Sequence, residues 1–342
     1  MKTIADAVDR IQKTLNTHKL KSALARMDST IARADKEFKE EDHPRAEDGK
    51  FGSKSGAKSG SKRGPMSETK TQEGGKRTQA NGQPLPDYID RLKIPPAWTD
   101  VKFSADPNSD LLATGKDSKG RPQAIYSEAF TKTQAEAKFA RIHELISKFE
   151  EIIAQNNKAR KSENARTRDS ADCLDLIAKM GLRPGSDDDT GAKVKAYGAT
   201  TLEGRHVVKT PDGVRLQFTG KKGVNLDLPV TDPALSKMLL DRAKSSGADG
   251  KLFPATSDKA LLDHTHTMDG GGFKTKDFRT HVGTSTAADL VAKETPPKSE
   301  AEYKKKIMEI AKRVSDRLGN TPVIALQSYI SPVVFAQWRA SL

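Results

Sequence analysis

The stretch LGNTPVIALQSYISP, residues 318–332, places Tyr329 nine residues after Asn320 in a chain of 342 residues that holds only five tyrosines. A tyrosine phenol can attack an electrophilic centre and form a covalent intermediate, whereas a carboxamide can donate a hydrogen bond but carries no charge. Three cations stand in distinctive contexts: Arg183 in GLRPG after an apolar helical run, Lys221 in FTGKKGV at the tip of a strand or hairpin, and Arg279 in KDFRTHVGT at the head of a helix. Taken singly, each reads as an ordinary surface cation. DHTHT sets His264 and His266 near Asp263, and SDDDT groups Asp187, Asp188 and Asp189. Histidines two apart in a Gly-rich loop do not close a metal site, and adjacent acids form a solvated turn, so no metal is expected at either place. His206 in GRHVV, at the start of a strand, reads as a structural hydrogen-bonding group. Both SGAKSGSKRG and GGGFKTKD miss the spacing of a phosphate-binding P-loop, which leaves an ATP-driven mechanism without support. The one cysteine, Cys173, can form no internal disulfide and reads as a small core residue.

Positioning such residues requires folded elements, and the chain alternates between segments that can and cannot build them. Lys plus Arg number 59 against 46 Asp plus Glu, a formal charge of +13, which favours a polyanionic partner. A hydrophobic fraction of 35% is low for one continuous globule. Residues 1–40 carry helical spacing, with Ile4, Val8, Ile11 and Leu15 followed by Leu20, Leu24, Met27, Ile31, Ala34 and Phe38, and predict an amphipathic helical pair or short coiled coil. Such a segment could dock on a protein partner or a second copy. Residues 41–82, dominated by Gly, Ser and Lys, predict a flexible basic linker. Residues 83–155 predict a β-rich module with a trailing helix: turns at Gly115 and Gly120 frame a hairpin, and Phe139, Ile142, Leu145, Ile146, Phe149, Ile152 and Ile153 share one helical face. The polar run at 156–170 predicts a second linker. From 171 to 342 the pattern predicts a mainly helical domain with a small sheet turning at Asp212 and Gly213, and helices near 234–246, 274–293 and 301–318. The fold class is therefore α+β. No apolar run reaches membrane-spanning length, and MKTIADAVDRIQ lacks the apolar core of a secretory signal. The protein is expected to stay in the compartment where it is made.

The phrases IPPAWTDV, KDSKGRPQAIY, LRPG, YGATTLEGRHV, FTGKKGV, KDFRTHVGT and LGNTPVIALQSYISP run in the order found in type IB DNA topoisomerases. From residue 83 to 335 the chain resembles the compact poxvirus and bacterial members of that family. Tyrosine recombinases share the catalytic domain and the nine-residue step to Tyr. They lack the IPPAW module, and they usually carry His where KDFR has Lys276. A shorter phrase, HPRAEDGKFGS, resembles phage structural proteins. Together the resemblances imply a location in the cytoplasm of a bacterial or phage-infected cell, with virion association as an alternative.

The resemblance implies an ATP- and metal-independent enzyme without cofactors, acting as a monomeric catalytic unit on double-stranded DNA. Tyr329 would attack the scissile phosphorus to form a 3′-phosphotyrosine, Arg183 and Arg279 would hold the nonbridging oxygens, and Lys221 would protonate the leaving 5′ oxygen, with Lys222 the runner-up by adjacency. Lys276 would act through the DNA near the cleaved bond. Asn320 stands where poxvirus relatives and most recombinases have His, and reads as a neutral clamp on a phosphate oxygen. The major-groove phrase GRxQYxY appears as Gly120, Arg121, Pro122, Gln123, Ala124, Ile125 and Tyr126, so Ala124 removes one tyrosine contact while Arg121, Gln123 and Tyr126 remain DNA-binding candidates. Alternatives are a tyrosine recombinase, or a phage structural DNA-binding protein with a degenerate site.

Overall fold

The computed structural model describes residues 63–72, 76–187, 194–268 and 272–342, without the side chain of Lys222. The helical segment at 1–40, the phage-like phrase, and Asp188 and Asp189 lie outside the described residues. The chain divides between Ala140 and Arg141 into two compact units.

The first unit is an antiparallel five-stranded sheet. Its strands are β1 (Met66–Thr71), β2 (Arg77–Gln79), β3 (Thr99–Ser104), β4 (Leu111–Lys116) and β5 (Pro122–Tyr126), in the order β2-β1-β3-β4-β5. The short helix α1 (Asp87–Asp90) buries Ile89 with Phe103 and Leu112. The linker predicted for 41–82 is thus too long, because β1 and β2 fall inside it. MSETKT has a single apolar residue and joins the sheet through main-chain pairing, with Ser67 opposite Phe103 and Thr69 opposite Gln79, so no apolar pattern marks it. Arg77 holds the IPPAW loop. Its guanidinium donates to the carbonyls of Ile94 at 3.1 Å, Pro95 at 2.8 Å, Pro96 at 2.9 Å and Trp98 at 2.6 Å. Gly115 is not a turn residue: it lies within β4, where the Trp98 ring packs over it and leaves no room for a side chain. Gly120 does sit in the β4–β5 turn, at φ 73°.

Helix α2 (Glu128–Ala159) begins in the first unit and continues into the second, and α3 (Ala165–Met180) follows after a short turn. The linker predicted for 156–170 is therefore helix, turn and helix. Its polar side chains are ordered because they are paired: Asn156 donates to Ala171 O at 2.9 Å and meets His264 Nε2 at 2.8 Å, Arg160 binds Asp172 at 2.6 Å, and Asn164 caps α3 through Thr167 N. Strands β6 (Val207–Thr210), β7 (Gly213–Thr219) and β8 (Asn225–Val230) form a three-stranded antiparallel sheet. Val214, Leu216 and Phe218 alternate inward along β7.

Helices α4 (Pro233–Ser246), α5 (Asp258–Thr267), α6 (Thr275–Val291), α7 (Glu300–Leu318), α8 (Pro322–Ser328) and α9 (Ala336–Ala340) complete the unit. Helix α5 contains His264 and His266, which the sequence had suggested for a loop; Ser257 caps it by accepting from Ala260 N. One core gathers the sheet with α3, α4 and α5, and a second gathers α6, α7, α8 and α9. The mixed α and β composition with a mainly helical second unit agrees with the α+β reading. Among the described residues no helix is long and apolar enough to cross a membrane.

Arg242 of α4 ties the first of these cores together, binding Asp169 at 2.9 Å, Asp172 at 2.5 Å and the Leu252 carbonyl at 2.8 Å. Arg242→Met keeps the side-chain length but takes the cation from buried Asp169 and leaves Asp172 with Arg160 alone. It is expected to lower unfolding free energy by about 3–5 kcal/mol, measured by urea denaturation of the two proteins under one buffer.

Candidate active site

The step of nine between Asn320 and Tyr329 has a local cause. Helix α7 ends at Gly319, whose φ of 60° is the left-handed conformation glycine adopts without a Cβ penalty. Thr321 then caps α8 by accepting from Ile324 N, and Pro322 occupies its first turn. Asn320 is the joint between the two helices, and Tyr329 ends α8, with its N–H donating to Ala325 O at 2.9 Å. The GNTP phrase is therefore a stop signal, a joint and a start signal. The short helix carries the chain about 10 Å onward at 1.5 Å per residue before the tyrosine.

Helix α6 sets Tyr329 against the arginines. Gly283 faces it so closely that a Cβ there would lie 2.6 Å from Tyr329 O and 3.0 Å from Tyr329 Cβ. Thr284 Oγ1 donates to Tyr329 O at 3.1 Å and accepts from Ser331 N at 3.2 Å. Arg279, on the same helix, places its guanidinium carbon 4.8 Å from the Tyr329 ring centre, and Arg183 comes to 6.0 Å from the loop after α3.

Arg279 is 3% exposed, and two of its nitrogens are already committed: Nη1 donates to Gly181 O at 2.5 Å and Nη2 to Leu318 O at 2.7 Å. Its Nε is buried with no partner, and so are both amide atoms of Asn320. Burial pushes the Arg279 guanidinium below its ordinary value; the Tyr329 side chain opposes that shift, and the Arg183 charge adds to it. The guanidinium stays cationic, because arginine titrates far above neutral pH.

Arg183, Arg279 and Tyr329 thus converge, and Asn320 is joined to them through Leu318. Lys221 stands exposed in the turn between β7 and β8. That hairpin is registered on the α7 terminus, since Leu226 of β8 packs so tightly on Gly319 that a Cβ there would lie 2.1 Å from its Cδ2. Lys276 is exposed on the first turn of α6.

The remaining candidates lie in the first unit. Asp117 accepts from Arg121 Nε at 2.7 Å, from the backbone N–H groups of Lys119 and Arg121 at 3.0 Å, and from Gln123 Nε2 at 3.1 Å. The Arg121 hydrogen bond is the main reason its carboxyl is pulled down to about 2. Along β5, Ala124 and Tyr126 are exposed while Gln123 and Ile125 turn to the opposite face, and Tyr126 stacks on Phe130 at 5.1 Å. Gln123 and Tyr126 therefore do not share a face.

Gly283, Thr284 and Ser331 went unnoticed in the sequence, although the first two lie in the KDFRTHVGT phrase. His206 behaves as expected: its Nδ1 accepts from Glu203 N at 2.9 Å. The ring of His264 is occupied by Asn156.

A phenol beneath two guanidiniums defines a site able to transfer a phosphoryl group to tyrosine. Residues 127–330 match the catalytic core of eukaryotic DNA topoisomerase I, and residues 77–117 match the N-terminal domain of bacterial DNA topoisomerase IB. The chain belongs to the type IB DNA topoisomerases. It is 29% identical over 260 residues to DNA topoisomerase 1B of Acanthamoeba polyphaga mimivirus, spanning 71% of this chain and 76% of that one. It is 23% identical over 264 residues to DNA topoisomerase I of Monkeypox virus and to DNA topoisomerase 1B of Vaccinia virus, spanning 75% of this chain and 82% of each relative. The second family match covers the IPPAW segment, the part that separates this reading from a tyrosine recombinase.

Gly283→Ala is expected to slow DNA cleavage about 100-fold by displacing the Tyr329 main chain by a fraction of an ångström or more. Single-turnover cleavage, with circular dichroism to establish folding, checks it.

Proposed function

We propose that this type IB DNA topoisomerase relaxes supercoiled double-stranded DNA by cutting one strand through Tyr329. The observation that carries the assignment is the Tyr329 ring lying 4.8 Å from the Arg279 guanidinium and 6.0 Å from that of Arg183. The phenol oxygen, giving its proton to water, forms a bond to the scissile phosphorus as the bond to the 5′ oxygen breaks. The product is a phosphotyrosine on the 3′ side of the cut, which stores the bond energy for resealing. Lys221, on its exposed hairpin, supplies the proton to the departing 5′ oxygen.

Charge on the nonbridging oxygens grows in the transition state, and the arginines meet it with fixed positive charge in a largely dehydrated setting. Arg279 keeps donors for this role, since main-chain carbonyls take only two of its five N–H groups and its Nε has no partner. The Asn320 amide is a neutral donor for one oxygen, suited to hold but not to shuttle a proton. The free 5′ end then turns about the intact strand under supercoil torque, and its hydroxyl reverses the first step. The driving energy resides in the DNA, so neither ATP nor a resident cofactor enters the scheme. Arg121 and Tyr126 on the strand-rich unit, with Lys276 and Lys222 on the helical unit, add DNA contacts.

Supercoiled plasmid incubated with the protein and EDTA, without ATP, is expected to relax completely, and Tyr329→Phe to relax none of it. Relaxation by the Phe variant, or none by the wild type, rejects the assignment. Asn320→His is expected to retain substantial single-turnover cleavage, because either side chain can donate to an oxygen. Complete loss of cleavage in that variant would remove the clamp role from Asn320.

A further inference from the structure

Two side chains on α2, Arg141 and His143, reach the segments that carry the reacting groups, although the sequence places them far from both. Arg141 donates from Nε to Asp277 Oδ2 at 2.7 Å and from Nη2 to Asp277 Oδ1 at 3.1 Å. Asp277 is 1% exposed and also accepts from Lys274 N at 2.9 Å, which closes the first turn of α6 two residues before Arg279. Two residues further along α2, His143 Nε2 lies 3.0 Å from Ser331 Oγ. Ser331 is 1% exposed and donates its N–H to Thr284 Oγ1, which in turn donates to Tyr329 O.

We propose that Arg141 and His143 are positioning residues for the cleavage step, setting the Arg279 helix and the Tyr329 main chain relative to one another from a single helix. The inference rests on the reading of Tyr329 as nucleophile. Its physical basis is the pair of independent routes that begin two residues apart. The Arg141 fork fixes the start of α6 by two parallel charge-assisted hydrogen bonds. The His143 contact fixes the residue two beyond the nucleophile, and Thr284 ties that residue back to the Tyr329 carbonyl. Neither side chain needs to touch DNA. A phosphoryl transfer is sensitive to displacements well under 1 Å, so the grip of one rigid element on both reacting segments controls rate more than affinity.

The prediction separates rate from affinity and from stability. With the full-length chain and a duplex that traps the covalent intermediate, His143→Ala is expected to slow single-turnover cleavage at saturating DNA on the order of 10- to 100-fold. Its noncovalent DNA affinity and Tm should stay at wild-type values. His143→Gln, whose amide reaches the position of Nε2, should restore most of the rate, whereas His143→Asn, whose amide ends short of it, should not. Arg141→Lys, which loses the fork, should slow cleavage in the same way. Wild-type cleavage by His143→Ala overturns the proposal, and so does a defect that follows a lowered Tm and is shared equally by the Gln variant. Tyr329→Phe in the same assay keeps two failures apart. If it still forms the covalent complex, the nucleophile assignment itself is lost; if it is inert and His143→Ala is unimpaired, only the positioning role is lost.

Discussion

The helical unit is organised around one guanidinium. Arg279 is buried and joins the carbonyl of Gly181, where α3 ends, to that of Leu318, where α7 ends. Arg183 lies two residues beyond the first carbonyl and Asn320 two beyond the second, so one planar side chain draws two loops to a common point. Only arginine offers several donors in a fixed fork with a charge that persists when buried. Lysine could carry the charge, but its three donors sit on one tetrahedral nitrogen and cannot span two separate carbonyls in one plane while a further donor points elsewhere. The residue is at once a structural fastener and, in the proposed reaction, a phosphate ligand. The partnerless Nε is where the two roles meet.

The electrostatics follow from that arrangement. Burying a guanidinium disfavours its charged form, and a second arginine nearby adds to the cost. The Tyr329 side chain offsets part of it, and the two carbonyls supply the polar contacts that water would otherwise give. In the proposed reaction, two guanidiniums beside the phenol favour an arriving phosphodiester, and still more one that gains negative charge as it reacts. Close approach matters as much as charge. Gly283 lets α6 contact the Tyr329 backbone, and Gly319 lets Leu226 bring the Lys221 hairpin against the end of α7. A methyl group at either place would separate the parts that must act together.

Much of the site was legible in the sequence as short phrases, because turn and cap residues announce themselves locally. GNTP encodes a helix stop and a helix start, LRPG follows a glycine helix stop, and FTGKKGV encodes a hairpin tip. The helix near 301–318 was legible in the sequence, as was the apolar run before Arg183 that forms the later part of the helix at 165–180. Strand β1 was not, since MSETKT earns its place by main-chain pairing alone. The polar run at 156–170 looked like a linker because its order depends on Asn156, Arg160 and Asn164 meeting partners elsewhere in the fold. Gly115 looked like a turn because nothing local reveals that Trp98 will cover it.

By itself, the sequence determined which side chains were available and in what order: a phenol, two arginines, a lysine and a carboxamide, each beside its own turn or cap, on a strongly basic chain. Those features depend on neighbours within a few residues, where backbone geometry and capping preferences are decided. Only the tertiary structure decided that Arg279 would be buried with two nitrogens spent on carbonyls, and that Arg141 and His143 would reach the Arg279 helix and the residues after Tyr329. The physical reason is distance along the chain. Contacts such as Arg279 to Gly181 and His143 to Ser331 join residues 98 and 188 positions apart, and no local preference can specify a partner that only packing brings near.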